Sequence, residues 1–439
     1  MRCKLIISLF CCCVFNIAVN AQTTPGIRQV VRTFYSHYNL SAFTVQQVQF
    51  QKRKDDWYIA TIEYNGGKMH YNTPILFYSG KQKKFLDLEI DRNGSQRAVD
   101  VSSYLLDYQI LNFDIQPYYG YPGWYLDAIK DLSSRPELSE DDLYALARAY
   151  STATHSSIGS PNDDVAPGKF LQLPFNEQPL AGAALDEYKR NADSAIAYFG
   201  RLAKRNSRYK TAVGSIGRKY ANEIVDKYHM LLMLAPTDAE QMTLPDGIYE
   251  KKVEDSARMI LKDCPPGAIF VSTNDNDLYP LLYIQKKENY RKDVYITNYV
   301  LMMYPPFIYS YTRKQLDASP IKLILDTSDY HFEVNELLYF AEGTATISSN
   351  EFFDILKMPL PPGESHHRLP IEAIRFPFKN PLFFSLSNIN LMYRNGIIFM
   401  DILAHLEGRP LSMSGTLPDE LRQMNERFKK DGMVRIFQP

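Results

Sequence analysis

The period of the apolar positions changes several times along the chain, and each change marks a different kind of element. In residues 26–38 (GIRQVVRTFYSHY), Ile27, Val30, Val31 and Phe34 recur at helical spacing and predict a short amphipathic helix. From Val45 to Ile90 the pattern turns extended: VQQVQFQK, WYIATIEYN, HYNTPILFYSG and KKFLDLEID are separated by the polar turns KRKDD, NGGK and SGKQK. These runs predict an antiparallel meander with one buried face. Helix and meander together make an α+β module over residues 22–100.

Residues 101–264 read as all-α. LSEDD at 138–142 supplies a helix start, followed by Leu143, Leu146, Ala147 and Tyr150 on one side. Leu185, Tyr188, Ala192, Ala195, Ile196, Phe199, Leu202 and Ala203 form a stripe over five turns. A partner helix is predicted to carry Tyr209, Val213, Ile216, Tyr220, Ile224, Tyr228, Leu231 and Leu232. The pair is similar to a tetratricopeptide-type hairpin, although no clean 34-residue recurrence is present. Between the helices, 161–179 (PNDDVAPGKFLQLPFNEQP) has no periodicity and reads as a loop.

Beyond residue 265 strands and helices alternate. AIFVST, DLYPLLYIQKKEN and DVYITNY predict a βαβ unit with parallel strands. IKLILDTS is expected to be a strand, NGIIFMDILAHLEG a helix, RPLSMSG a strand, PDELRQMNERFKKDG a helix and MVRIF a last strand. The fold class is therefore mixed: an α+β module, a helical-hairpin middle and an α/β layered domain over 265–439.

The first residues add a location. Arg2 and Lys4 precede an apolar run from Leu5 to Val19 that ends at small residues, the pattern of a secretory signal peptide over residues 1–21, cleaved before Gln22. Cys11, Cys12 and Cys13 stand too early for a lipid anchor, and no other stretch approaches the roughly 20 apolar residues of a membrane span. A periplasmic, secreted or cell-surface protein is expected. Cys264 is the only cysteine beyond the leader, so no intrachain disulfide is expected and the thiol reads as a small core residue. A formal net charge of −1 argues against a nucleic-acid partner, which calls for a basic surface.

Chemistry-bearing residues concentrate at the turn after AIFVST, where Asn274, Asp275, Asn276 and Asp277 follow one another. Ligands gather beyond the carboxyl ends of parallel strands, so this turn is a candidate ligand site. Asp275 and Asp277 are then candidate ligands for a divalent cation or for sugar hydroxyls. The alternative is structural: an Asx residue caps the next helix and its neighbours satisfy turn amides. No other cofactor is expected. Weaker candidates are Glu364, His366 and His367 in a Pro/Gly loop, and His331 with Glu333 on one strand face. Tyr118, Tyr119, Tyr121, Trp124 and Tyr125 offer a sugar-stacking platform, or an apolar plug for the helix that follows. GxSxG, HExxH, CxxC and P-loop patterns are absent from the sequence.

The stretch GAIFVSTNDNDLYPLLYIQKKENYRKDVYITNY resembles a signature in the soluble region of a bacterial family of membrane proteins akin to protein O-mannosyltransferases, a domain of unknown function. Asp275, Asn276, Asp277, Pro280, Tyr283, Gln285, Tyr290, Arg291, Asp293, Val294 and Asn298 carry the resemblance. Asp401, Arg409, Pro410, Gly432, Val434 and Pro439 extend it, in the same order, to the chain end. Asn274 stands where that family tends to have Gly, and Leu411 to Met413 replace its Ile-Tyr-Phe. The resemblance covers about residues 250–439 and adds Arg409 to the candidate ligand residues. Since the family's glycosyl transfer would reside in its membrane half, the resemblance implies an exported, detached form of the soluble region rather than a transferase.

The leading expectation is a non-catalytic envelope protein that binds a glycan, a glycosylated protein or a membrane glycosyltransferase. One alternative is a glycan- or envelope-directed enzyme using Asp275 and Asp277. Another is a helical-repeat scaffold for protein assembly, which an exposed apolar groove on the hairpins would favour.

Overall fold

A computed structural model describes residues 24–38, 48–65, 68–71, 73–89, 98–158, 180–330, 335–360, 364, 366–387 and 389–439. The expected leader (1–21), the expected loop (161–179) and the pair His331 and Glu333 lie outside the described residues. The described part is mixed α/β, with a helical middle and a sheet-containing C-terminal region.

In the N-terminal module, α1 (Ile27–His37) lies on a sheet built from β1 (Val48–Arg53), β2 (Asp56–Asn65), β3 (Lys68–Tyr71), β4 (Ile75–Ser79) and β5 (Lys84–Phe85). The strand order is β5-β4-β2-β1, all antiparallel, with β3 extending β2. The predicted stripe of α1 is fully buried against Phe50, Trp57 and Phe77. Trp57 fixes the chain ahead of the helix by donating its indole N–H to the Pro25 carbonyl at 3.0 Å. Two later elements complete the module: α2 (Asp107–Ile115), whose Ile110 and Phe113 join this core, and β6 (Tyr118–Tyr119), which pairs with β1.

The helical middle consists of α3 (Trp124–Ser133), α4 (Glu140–Ser157), α5 (Gly182–Arg205), α6 (Ile216–Leu234), α7 (Pro236–Gln241) and α8 (Lys251–Asp263). Ser139 caps α4 reciprocally with Asp142. Helices α4 and α5 run antiparallel, because the end of α5 reaches the start of α4: Arg205 donates to the Leu138 carbonyl at 2.6 Å and Asn206 to Glu140 at 2.7 Å. The predicted partner helix begins later than its apolar spacing suggests. Residues 210–215 form a tight hairpin of β7 (Lys210–Thr211) and β8 (Gly214–Ser215), with Gly214 at φ +117°. Ser215 then caps α6 by accepting from Arg218 N–H at 3.2 Å.

In the C-terminal region, β9 (Ile269–Ser272), α9 (Asp275–Glu288) and β10 (Tyr295–Asn298) form the expected parallel βαβ unit. The sheet continues through β15 (Leu411–Met413), parallel to β9, to the antiparallel hairpin of β16 (Phe428–Asp431) and β17 (Val434–Phe437). Its two faces bury separate cores. Phe270 and Ile296 pack with α6, α8 and α9, whereas Ile269, Val271 and Tyr295 face a second core that includes α12 (Arg394–Ala404). The first of these cores runs across residue 264, so the last middle helices and the sheet share their apolar interior.

Three C-terminal expectations change. IKLILDTS is not a strand, because its amides find a side chain instead: Ile324 and Leu325 N–H donate to the buried Asp401 carboxylate at 2.5 and 3.1 Å. PDELRQMNERFKKDG does not form an α-helix; Asp419–Arg427 is a 3₁₀ coil and its end enters β16. Residues 337–393, where no strands were expected, hold a second sheet in the order β13-β12-β11-β14. Its strands are β11 (Leu337–Ser348), β12 (Arg368–Phe376), β13 (Leu382–Ser385) and β14 (Leu391–Tyr393). β11 and β12 are parallel and linked through α11 (Ser349–Leu356), while α10 (Pro305–Tyr311) packs near the first sheet. A bulge in β11 brings Gly343 so close to β12 that a Cβ there would meet the Pro370 carbonyl oxygen at 2.0 Å.

Candidate functional site

The turn after β9 separates into two kinds of residue. Asn274 is the N-cap of α9: its side chain accepts from Asp277 N–H at 3.0 Å and donates to the Asp277 carboxylate at 2.9 Å. Ser414 donates to the same carboxylate at 2.7 Å, which ties the turn to the end of β15. Asn276 accepts from Asn222 of α6 at 3.3 Å. Asp275 differs from these three, having no hydrogen bond or ion pair with any described residue. The turn thus sends Asp275 into one cleft, while Asn276 and Asp277 line a separate recess beside Arg218 and Lys252. Asp275 and Asp277 are not brought together, and among the described residues no three His, Cys, Asp or Glu side chains are grouped to hold a metal ion.

The cleft that receives Asp275 has a volume of about 290 Å³ and lies between α4, α6, α9 and residues 300–307. Helical spacing explains its walls. Arg148, Ser151, Thr152 and His155 share one face of α4; Lys219, Asn222, Glu223, Asp226 and Met230 share one face of α6. Tyr304 and Phe307 supply an aromatic side. His155 joins α4 to α6 through an Nε2 contact of 3.2 Å with Asp226, and Tyr279 of α9 donates its hydroxyl to the other oxygen of Asp226 at 2.8 Å. Lys219 pairs with Glu223 at 2.7 Å one turn away.

These contacts set the charges. Burial works against an ionised Asp226, but the His155 charge and hydrogen bond outweigh it and lower the carboxyl pKa. Burial likewise opposes a charged His155, and Asp226 overcomes it to raise the imidazole pKa. Asp275 keeps contact with solvent at the mouth, yet protein crowding on the cleft side, followed by the Asp226 charge, raises its pKa. Behind this wall His229 is buried beside the rings of Phe307 and Tyr279, its Nδ1 has no partner, and burial pushes its pKa down to about 4. It is therefore neutral at physiological pH.

The remaining candidates lie elsewhere. Arg409 is at the opposite end of the sheet, donating to the Gly267 and Pro320 carbonyls at 2.8 Å each. Cys264 is buried and its thiol is pushed up to about 12 by burial. Tyr121, Trp124 and Tyr125 are buried and pack with Ala149 and Ala153 of α4, in the manner of an apolar plug. Glu364 is exposed, and His366 and His367 border a small hollow with Asp329 and Asn335. The signature residues mostly bind backbone. Gln285 donates to the Arg291 and Val294 carbonyls, Tyr283 to that of Pro245, and Asn298 caps Val300 and Leu301. Arg291, held at φ +48°, donates to the Leu261, Cys264 and Pro265 carbonyls and to Asp293.

Arg148, His155, Lys219, Glu223 and Asp226 were not singled out by sequence reasoning. Their signal was present as polar residues at i, i+3, i+4 and i+7 on helices whose apolar stripes were read for packing alone.

No helix among the described residues is long and apolar enough to cross a membrane. Compared with known families, residues 253–380 match TMEM260-associated domain 2. The match fits a C-terminal domain of unknown function in a TMEM260-like, O-mannosyltransferase-like family; it includes the signature at 274–298 and stops before the second block at 401–439. No curated protein and no solved structure matches the chain.

Proposed function

We propose that this is an exported accessory protein of the cell envelope that binds a polyhydroxylated ligand, a glycan or glycosylated protein, in the α4–α6–α9 cleft without transforming it. One observation carries the reading: Asp275, an unpartnered carboxylate, faces a cleft with hydroxyl and carboxylate groups on two helices and aromatic rings on a third side. Such a surface suits a sugar, which presents hydroxyls around its edge and C–H groups on its faces. The charged groups that α6 turns to the cleft are paired, Asp226 with His155 and Glu223 with Lys219, which favours holding over proton transfer. The scaffold reading has less support, since Leu185, Tyr188, Phe199 and Leu202 of α5 are buried.

Thermal unfolding of residues 22–439 with envelope sugars and with divalent cations tests the proposal. A sugar is expected to raise the midpoint of the wild type, because binding only the folded state stabilises it. Asp275→Asn is expected to melt like the wild type and to lose that rise; a sugar-dependent rise preserved in the variant, or none with any sugar, would sink the proposal. A glycan-directed enzyme is the second reading, favoured by the raised pKa values of His155 and Asp275 in one cleft. Release of a cleaved or transferred sugar, abolished by Asp275→Asn, would replace the first reading with it.

A further inference from the structure

The face of α4 that lines the first cleft continues into another. A cleft of about 480 Å³ lies between the N-terminal module and the helices, bordered by Gln49, Asn112, Tyr104, Tyr108, Tyr119 and Trp124, with Arg148 where it meets α4. Arg148 lines both clefts. It is the only charged side chain among those bordering the second cleft, and it has no hydrogen bond or ion pair with any described residue. From Arg148 the same helix face passes Ser151 and Thr152 to His155, a span of roughly 10 Å at 1.5 Å per residue.

We infer that the two clefts are subsites for one acidic oligosaccharide laid along α4, with its carboxylate on Arg148. The inference takes the ligand's class from the saccharide reading of the first cleft, and its length and charge from the second. The charge follows from the lining. With Glu223 and Asp226 paired to Lys219 and His155, Asp275 is the carboxylate of the first cleft that has no described partner; it disfavours an anion beside it, so neutral hydroxyls of the ligand face it. The second cleft has no carboxylate among its bordering residues and one unpaired guanidinium, a donor fork that matches a carboxylate. Tyr108, 53% exposed, offers a ring for the sugar beside it, whereas Tyr104 is stacked on Tyr35 at 4.0 Å.

Calorimetric titration of the full mature chain with hyaluronan and unsulfated chondroitin oligomers, in which each uronate alternates with a neutral sugar, against maltooligosaccharides of equal length and free glucuronate, tests this. At least one acidic oligomer is expected to bind more tightly than the neutral oligomers and than the monomer. Arg148→Gln is expected to weaken that binding at least tenfold with an unchanged melting temperature, since a charge-assisted hydrogen bond is lost. Tryptophan emission localises the event: of the two tryptophans, Trp124 borders the second cleft and Trp57 borders neither, so the acidic oligomer should alter emission and a monosaccharide held in the first cleft should not. Equal binding of neutral oligomers, an Arg148→Gln variant that binds as before, or no acidic oligomer bound would each overturn the inference. A sugar effect that needs Asp275 but leaves emission and Arg148→Gln silent keeps the single-cleft reading and removes this one. Acidic oligomers that need Arg148 but not Asp275 would overturn both readings, since the ligand would then occupy the second cleft alone.

Discussion

The signature block at 274–298 and the facing sides of α4 and α6 are equally rich in polar residues, and they use them in opposite ways. In the signature, Asn274, Gln285, Arg291 and Asn298 all turn inward to backbone groups, so the block fixes how α9 and β10 join the sheet. On α4 and α6, Arg148, Ser151, Glu223 and Asp226 border open space. The difference separates what makes a motif recognisable from what makes a surface useful. Residues that hold a loop to a sheet must lie close together in sequence; residues that share a cleft need only share a helix face.

The sharpest way to break this comparison is to remove one arginine from each region. Arg291→Ala leaves the Leu261 and Cys264 carbonyls without a donor, leaves Pro265 with Ala268 N–H alone, and takes from Asp293 the ion-pair partner whose hydrogen bonds hold its pKa down to about 2. With charged hydrogen bonds at about 1.5–3 kcal/mol each, the loss should be on the order of 4 kcal/mol in urea unfolding. Arg148→Gln, by contrast, removes no described partner and should stay within about 0.5 kcal/mol of the wild type. Equal losses in the two variants would mean that Arg148 also has a structural role.

The two cores flanking the first sheet differ in a way that pH exposes. Asp401 is fully buried in one, and burial raises its pKa to about 6 despite hydrogen bonds from Ile324, Leu325 and Tyr330. The folded protein therefore holds that proton more tightly than the unfolded chain, and stability falls as pH rises from about 4 to 6. His229, behind the other core, has its pKa lowered to about 4 by burial. Its contribution is present above the ordinary value of 6.5 and is lost as pH falls from there towards 4. At about 1.4 kcal/mol per pH unit, each amounts to roughly 3 kcal/mol, and the two oppose one another across the same window. Asp401→Asn should uncover stability that rises with pH between 4 and 6.5, and His229→Gln stability that declines. Urea midpoints across that window measure both, and parallel profiles for the two variants would contradict the assignment.

How much of this was legible in the chain follows from the same distinction. The helix of Ile27 to Phe34, the meander, the α5 stripe and the βαβ unit at 269–298 came from short-range periodicity, which fixes the face each residue buries. The second sheet was missed because β11 pairs with β12 across α11 and with β14 beyond, pairings that no local period announces. IKLILDTS has a strand-like composition, but Asp401, far along the chain, takes its amide groups. The cleft was half visible: Asp275 stood out in a cluster of Asx residues, whereas His155 and Asp226 lie on separate helices and meet only through packing.

The smallest effect divides the four residues of the turn. Asn274→Ala removes the side-chain acceptor for Asp277 N–H and the donor to its carboxylate, so it should cost about 1 kcal/mol, the usual loss for a helix N-cap. Asp275 makes neither contact, and its carboxylate is placed at the first turn of α9, where a negative charge is favoured by a few tenths of a kcal/mol. Asp275→Asn should therefore change the urea midpoint by no more than that small term, while removing the charge that faces the cleft. Neighbouring residues in one turn would then differ in kind, Asn274 acting on the fold and Asp275 on the ligand. An Asn274→Ala variant as stable as the wild type, with Asp275→Asn the weaker of the two, would reverse that division and return the whole turn to structure.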